Sequence, residues 1–135
     1  MTRLLTAALT MTVLAACAGQ PMVADRDPRG EARLAHALAG KVAGRPVSCL
    51  PSFRTNRIEV IDRDTILYRD GRTSYVQHTN GHCYPNGPGG GYFLVMRKFG
   101  TNQTCRGDIA HVHDSTSRTF AGTCSFNEFI PYHTP

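Results

Sequence analysis

Five cysteines, no tryptophan and a formal charge of +5 in 135 residues set the first bounds. The length suits one compact domain, and a composition of 19% charged and 41% hydrophobic residues excludes both a disordered tail and a membrane-embedded bundle. Residues 17–45 hold five basic and three acidic side chains and residues 46–135 hold nine and seven. The cation excess is therefore spread along the chain rather than focused as a nucleic-acid surface requires, and no nucleic-acid partner is expected.

The chain opens with Met1-Thr2-Arg3 and an uncharged apolar run from Leu4 to Leu14, followed by Ala15-Ala16-Cys17. One early cation, a short apolar run and small residues before a boundary predict a secretory signal peptide over residues 1–16. The run is too short for a permanent transmembrane helix, which needs about 20 residues. Leu14-Ala15-Ala16-Cys17 resembles the lipobox of bacterial lipoproteins. That resemblance implies a diacylglycerol on the Cys17 thiol, cleavage before Cys17, acylation of its new amine, and so a membrane partner through the lipid anchor. Two or more acyl chains anchor stably, at about 0.8 kcal/mol per buried CH₂. Ala18 in place of aspartate resembles the enteric pattern for sorting to the outer membrane, with the protein facing the periplasm.

Residues 17–29 read as a lipidated tether, with Pro21, Pro28 and alternating charges. A short helix is expected within 30–45. Asp27 can cap it, Pro28 suits its first turn and Glu31 sits near its positive end. Leu34, Leu38 and Val42 form one apolar stripe, and Gly44 and Pro46 stop it.

From residue 46 to 135 the pattern is that of strands. Val47–Leu50, Arg57–Ile61 and Thr65–Tyr68 are apolar or β-branched runs, the last two separated by the turn signal Asp62-Arg63-Asp64. Asp70-Gly71 predicts a hairpin with Thr73–Thr79 as the returning strand. Asn80 to Gly91 is a break with five glycines and two prolines. Tyr92–Phe99, Ile109–His113 and Phe120–Phe126 complete the set, the last two joined around Asp114 to Arg118. The expected fold is mainly β, a small antiparallel barrel or sandwich of about seven strands with one short N-terminal helix.

With Cys17 assigned to lipid, Cys49, Cys83, Cys105 and Cys124 form an even set, which in an exported chain predicts two disulfides. Of three possible pairings, Cys49 with Cys124 would tie the opening strand to the closing one, and Cys83 with Cys105 would close the glycine loop and the strand after it. No Cys-x-x-Cys pair exists, against both a four-thiolate zinc site and thioredoxin-type chemistry.

Catalytic chemistry is sought without result. Ser48, Ser52, Ser74 and Ser125 lack an elbow motif, and Asp108 with Glu128 are a carboxylate pair by existence alone. Gly87-Pro88-Gly89-Gly90-Gly91 lacks the lysine and helix of a phosphate loop. Asp62-x-Asp64 lacks the remainder of a calcium loop, so it reads as a turn. Arg106-Gly107-Asp108 matches an adhesion tripeptide and reads more simply as a strand start. His111-Val112-His113 places two imidazoles on one strand face, a weak divalent-metal candidate needing a third ligand from His78, His82 or His133. Tyr84, Tyr92 and Tyr132, near loops, can line a recognition surface.

The blocks Gly44-Arg45-Pro46-Val47-Ser48-Cys49, Arg57-Ile58 with Asp64-Thr65-Ile66, Cys105-Arg106-Gly107-Asp108-Ile109 and Phe129-Ile130-Pro131-Tyr132 resemble an uncharacterised family of small exported proteins of Gram-negative bacteria. The resemblance covers about residues 30–133 and implies no activity, substrate or cofactor. The expectation is thus a non-enzymatic envelope lipoprotein, a binding or structural module for an envelope protein or glycan. The alternatives are a periplasmic hydrolase inhibitor working through loop 80–91, and a metal-binding domain using His111 and His113.

Overall fold

The computed structural model describes residues 27–51, 57–98, 100 and 102–135. The signal segment, Cys17 and most of the tether lie outside the described residues.

The helix α1 spans Pro28–Ala37. Its cap is as expected: the Asp27 Oδ1 accepts the Arg29 amide at 3.2 Å, and Pro28 opens the first turn. It ends earlier than the apolar stripe suggested. Leu38 caps it, Gly40 follows at φ +72°, a conformation that favours glycine, and the Lys41 amide bonds the Leu38 carbonyl. Val42 therefore leaves the stripe and joins a two-residue strand, β1 (Val42–Ala43).

Six longer strands follow: β2 (Arg57–Val60), β3 (Thr65–Asp70), β4 (Thr73–Asn80), β5 (Tyr92–Met96), β6 (Ile109–Asp114) and β7 (Phe120–His133). All pairings are antiparallel, in the order β2-β3-β4-β7-β6-β5, with β1 on the far end of β7. The sheet curls into a half-barrel whose two open edges are β2 and β5. The Asp62–Asp64 turn and the Gly71 hairpin form as predicted. The Asp64 amide bonds the Asp62 Oδ1 at 2.8 Å, and Asp70 pairs with Thr73 around Gly71 at φ +55°. Val47–Leu50 is not a full strand; Val47 bridges Phe129 and Cys49 bridges Cys105.

Two apolar clusters hold the fold. Inside the curl lie Ile66 and Tyr68 of β3, Ala110 and Val112 of β6, and Phe126 and Phe129 of β7. Outside it, α1 covers Ile61, Leu67 and Val76 with Leu34, Ala37 and Leu38. A ten-residue helix is marginal alone, so this packing, with the Arg33 guanidinium donating to the Ile61 carbonyl at 2.6 Å, is what holds it. The approach is close enough that a Cβ on Gly30 would lie 2.9 Å from the Asp62 Cβ. Residues Thr65–Tyr68 are buried on both faces, barrel interior and helix side, which is why Ile66-Leu67-Tyr68 reads as a continuous apolar run.

Two disulfides are present, but with different partners from those expected. Cys49 bonds Cys105 and Cys83 bonds Cys124, in place of Cys49–Cys124 and Cys83–Cys105. The sheet register is the reason. Because Asn80 pairs with Ser125, the chain leaving β4 arrives beside Cys124. The segment carrying Cys49 runs along β7 only at Val47 and then turns onto residues 104–106, where the Leu50 amide bonds the Thr104 carbonyl and the Arg106 amide bonds the Ser48 carbonyl.

Candidate functional site

The curl leaves a cavity of about 320 Å³ between its open edges. Ile58 of β2 and Tyr92, Leu94 and Met96 of β5 border it, Tyr68 and Phe126 form its floor, and Leu50, Tyr84 and Thr104 close its ends. Each strand delivers its side chain by alternation. Ile58 pairs with Tyr68, so both point inward. Ile58 nevertheless remains 61% exposed, because no strand lies beyond β2 among the described residues. Tyr92, Leu94 and Met96 alternate inward along β5 and pack on the interior cluster. Tyr84 is brought in by the glycine loop. The Cys83–Cys124 bridge pins that loop to β7, and the Tyr84 amide bonds the Arg63 carbonyl at 3.2 Å.

Among the described residues, no charged side chain lines this cavity. Its polar groups are the Tyr68, Tyr84 and Tyr92 phenols with Asn102 and Thr104. Burial, reinforced by the neighbouring Tyr84, pushes the Tyr68 hydroxyl far above the ordinary phenol range, and burial raises Tyr84 too. Both hydroxyls stay neutral and can each donate and accept a hydrogen bond. The Tyr68 ring meets Phe129 edge to face at 5.9 Å, which fixes its orientation. The arrangement suits a small, uncharged, largely apolar ligand with a few polar atoms.

A second, larger recess of about 530 Å³ lies between the start of α1, the 62–65 turn and loop 85–88. Its carboxylates already have structural partners. Asp27 caps α1, Asp62 holds the Asp64 amide, and Asp64 pairs with the His82 Nδ1 at 2.5 Å.

His111 and His113 do share one face of β6, as expected, with Ala110 and Val112 directed to the core. The fold does not bring them a third ligand. His78 contacts Thr65, His82 contacts Asp64 and His133 contacts Thr73. Among the described residues, no group of three or more His, Cys, Asp or Glu could hold a metal ion. The two imidazoles instead engage aromatic rings, His113 stacking on Phe93 at 5.5 Å and both approaching Phe120.

Of the tyrosines singled out in the sequence, Tyr84 and Tyr92 reach the cavity, whereas Tyr132 packs with the helix-side cluster. Ile58, Tyr68 and Met96 are cavity residues that the sequence did not mark. The curl of the sheet makes the cavity, and no local pattern encodes it. Compared with known proteins, the chain matches no family, no curated protein and no solved structure.

Proposed function

We propose that the protein is a non-enzymatic binding module of the cell envelope, held to the membrane by lipid on Cys17, whose half-barrel carries a small uncharged ligand in the seam between β2 and β5. The observation that carries this reading is the tyrosine-bearing cavity at the open seam, which no charged side chain lines among the described residues. Its volume sits at the lower end of ligand sites, about 300–1,000 Å³. The two disulfides suit an oxidising compartment, and the signal segment with its lipobox-like Cys17 supports the envelope and the anchor.

The test is titration with N-phenyl-1-naphthylamine, a neutral apolar fluorophore. Saturable enhancement with one site per chain is expected. Ile58→Glu changes an exposed residue, so the fold should survive it, and it sets a charge in the mouth. It should weaken probe binding at least tenfold with little change in melting temperature. Enhancement that never saturates, or that Ile58→Glu leaves intact, would remove the cavity as the site.

A further inference from the structure

The side chains of β5, β6 and β7 that alternate away from the interior cluster form an outer face, of which Phe93 also borders the cavity. Register sets its side chains in rows: Phe93, His113 and Phe120 in one, Val95, His111 and Thr123 in the next, then Ile109 with Ser125. The apolar members stand open, Phe120 at 60% exposed, Ile109 at 58% and Val95 at 41%. The helix covers the β3–β4 region, and no described element lies over this face. A contiguous exposed apolar patch of this kind marks an interaction surface.

Its chemistry narrows the partner. None of the outward positions in these rows is acidic. The carboxylates that flank β6 are turned into their own loops, Asp108 onto Lys98 and the Cys105 amide, Asp114 onto the Thr116 and Ser117 amides. The full charge at the patch is cationic, the Arg118 guanidinium held 5.5 Å over the Phe93 ring. Exposed phenylalanine and aliphatic side chains beside a snorkelling arginine suit a bilayer interface, the apolar groups at the acyl boundary and the cation at headgroup level. The tether adds a geometric argument. Asp27 lies ten positions after Cys17, a stretch that extends at most about 36 Å, so an anchored domain stays close to its membrane. At that enforced proximity even a weak face engages.

We propose that this face rests on the anionic bilayer surface, with Phe120, Ile109 and Val95 at the headgroup–acyl boundary and Arg118 on lipid phosphate. The proposal rests on the Cys17 anchor, not on the cavity ligand, and it gives the domain a defined orientation. The cavity side then faces away from the lipid, open to the aqueous compartment.

Because the chain has no tryptophan, Phe120→Trp supplies a single fluorescent reporter at an exposed site. The full-length protein, made with its signal segment in a Gram-negative host, is reconstituted into phosphatidylethanolamine–phosphatidylglycerol vesicles with brominated acyl chains. Emission of the Phe120→Trp variant should shift to the blue and be quenched at least twofold. An Ile109→Trp variant should behave alike, and Ile58→Trp, on the cavity side, should not be quenched. Protein that floats with the vesicles but shows no quenching at either patch position overturns the face while leaving the anchor standing. Patch-to-patch crosslinked dimers in that case identify a second copy as the occupant. Protein that does not float overturns the anchor, and the face with it.

Discussion

A single carboxylate organises the turn that starts β6. The Asp108 Oδ2 accepts the Cys105 amide at 2.9 Å and pairs with the Lys98 ammonium, while the Asp108 carbonyl accepts the Phe126 amide at 3.1 Å. Burial raises its pKa, but the hydrogen bonds from Lys98 and Cys105 and the Lys98 charge outweigh that, so the carboxyl titrates below its ordinary range. A lowered carboxylate pKa means stability that is full above the unfolded-state value and lost as pH falls through the folded one. Asp108→Asn should therefore melt roughly 4 °C lower at neutral pH, the equivalent of about 1 kcal/mol. The gap to the wild type should close in strong acid, where Asp108 itself is protonated. Equal melting curves at neutral pH would leave the turn to its backbone bonds alone. The sequence placed Arg106-Gly107-Asp108 at a strand start, and that much is legible from turn residues. Gln77 is the opposite case. It is fully buried between Ile66 and Phe129, with its Nε2 on the His78 carbonyl and its Oε1 without a partner among the described residues. Nothing local marks it as interior, because β4 is covered on both faces and so does not alternate cleanly.

At the scale of the element, β7 decides the architecture. It is fourteen residues long and pairs with β4, β6 and β1. Strict alternation would send Phe126 and Phe129, three apart, to opposite faces. Both are fully buried in the interior, because the β4–β7 register shifts between Gln77 and Thr79 and leaves Asn127-Glu128 opposite His78. A second shift, between Val112 and His113, keeps Phe120 outward. Phe126→Ala and Phe129→Ala should each cost about 3–5 kcal/mol of stability by denaturant unfolding, whereas Phe120→Ala should cost nearly nothing. A small effect at either buried position would mean that the bulge is misplaced. The sequence reading ended this strand at Phe126, whereas it continues to His133 through Pro131. A proline argues against a paired strand, yet here it sits where the neighbour is the two-residue β1, and its carbonyl still accepts the Gly44 amide at 2.7 Å. Strand existence was legible from β-branched runs and turn residues; bulges, which depend on a partner's register, were not.

For the whole molecule, the half-barrel is an open structure, and its ends need closing. Each disulfide closes one. Cys49–Cys105 ties the segment before β2 to the segment before β6, beside the cavity residues Leu50 and Thr104. Cys83–Cys124 fastens the glycine loop across the other region of β7. That Cys49, Cys83, Cys105 and Cys124 form two bridges was legible from sequence, but the pairing was not, since partners are chosen by which strands neighbour one another rather than by order along the chain. With sequence separations of 56 and 41, loop-closure entropy puts each bridge at about 4 kcal/mol. That is a large share of a stability of about 5–15 kcal/mol for a domain of ordinary size. Replacing Cys83 and Cys124 together by alanine should therefore lower the unfolding free energy by about 4 kcal/mol, and replacing Cys49 and Cys105 should do nearly the same. Removing one cysteine alone should be worse than removing both, because it frees a thiol for exchange with the remaining bridge. Non-reducing peptide mapping should recover linked peptides for 49–105 and 83–124 only. Linked peptides for 49–124 or 83–105 would contradict the β4–β7 register itself, since it is that register which sets Cys83 beside Cys124.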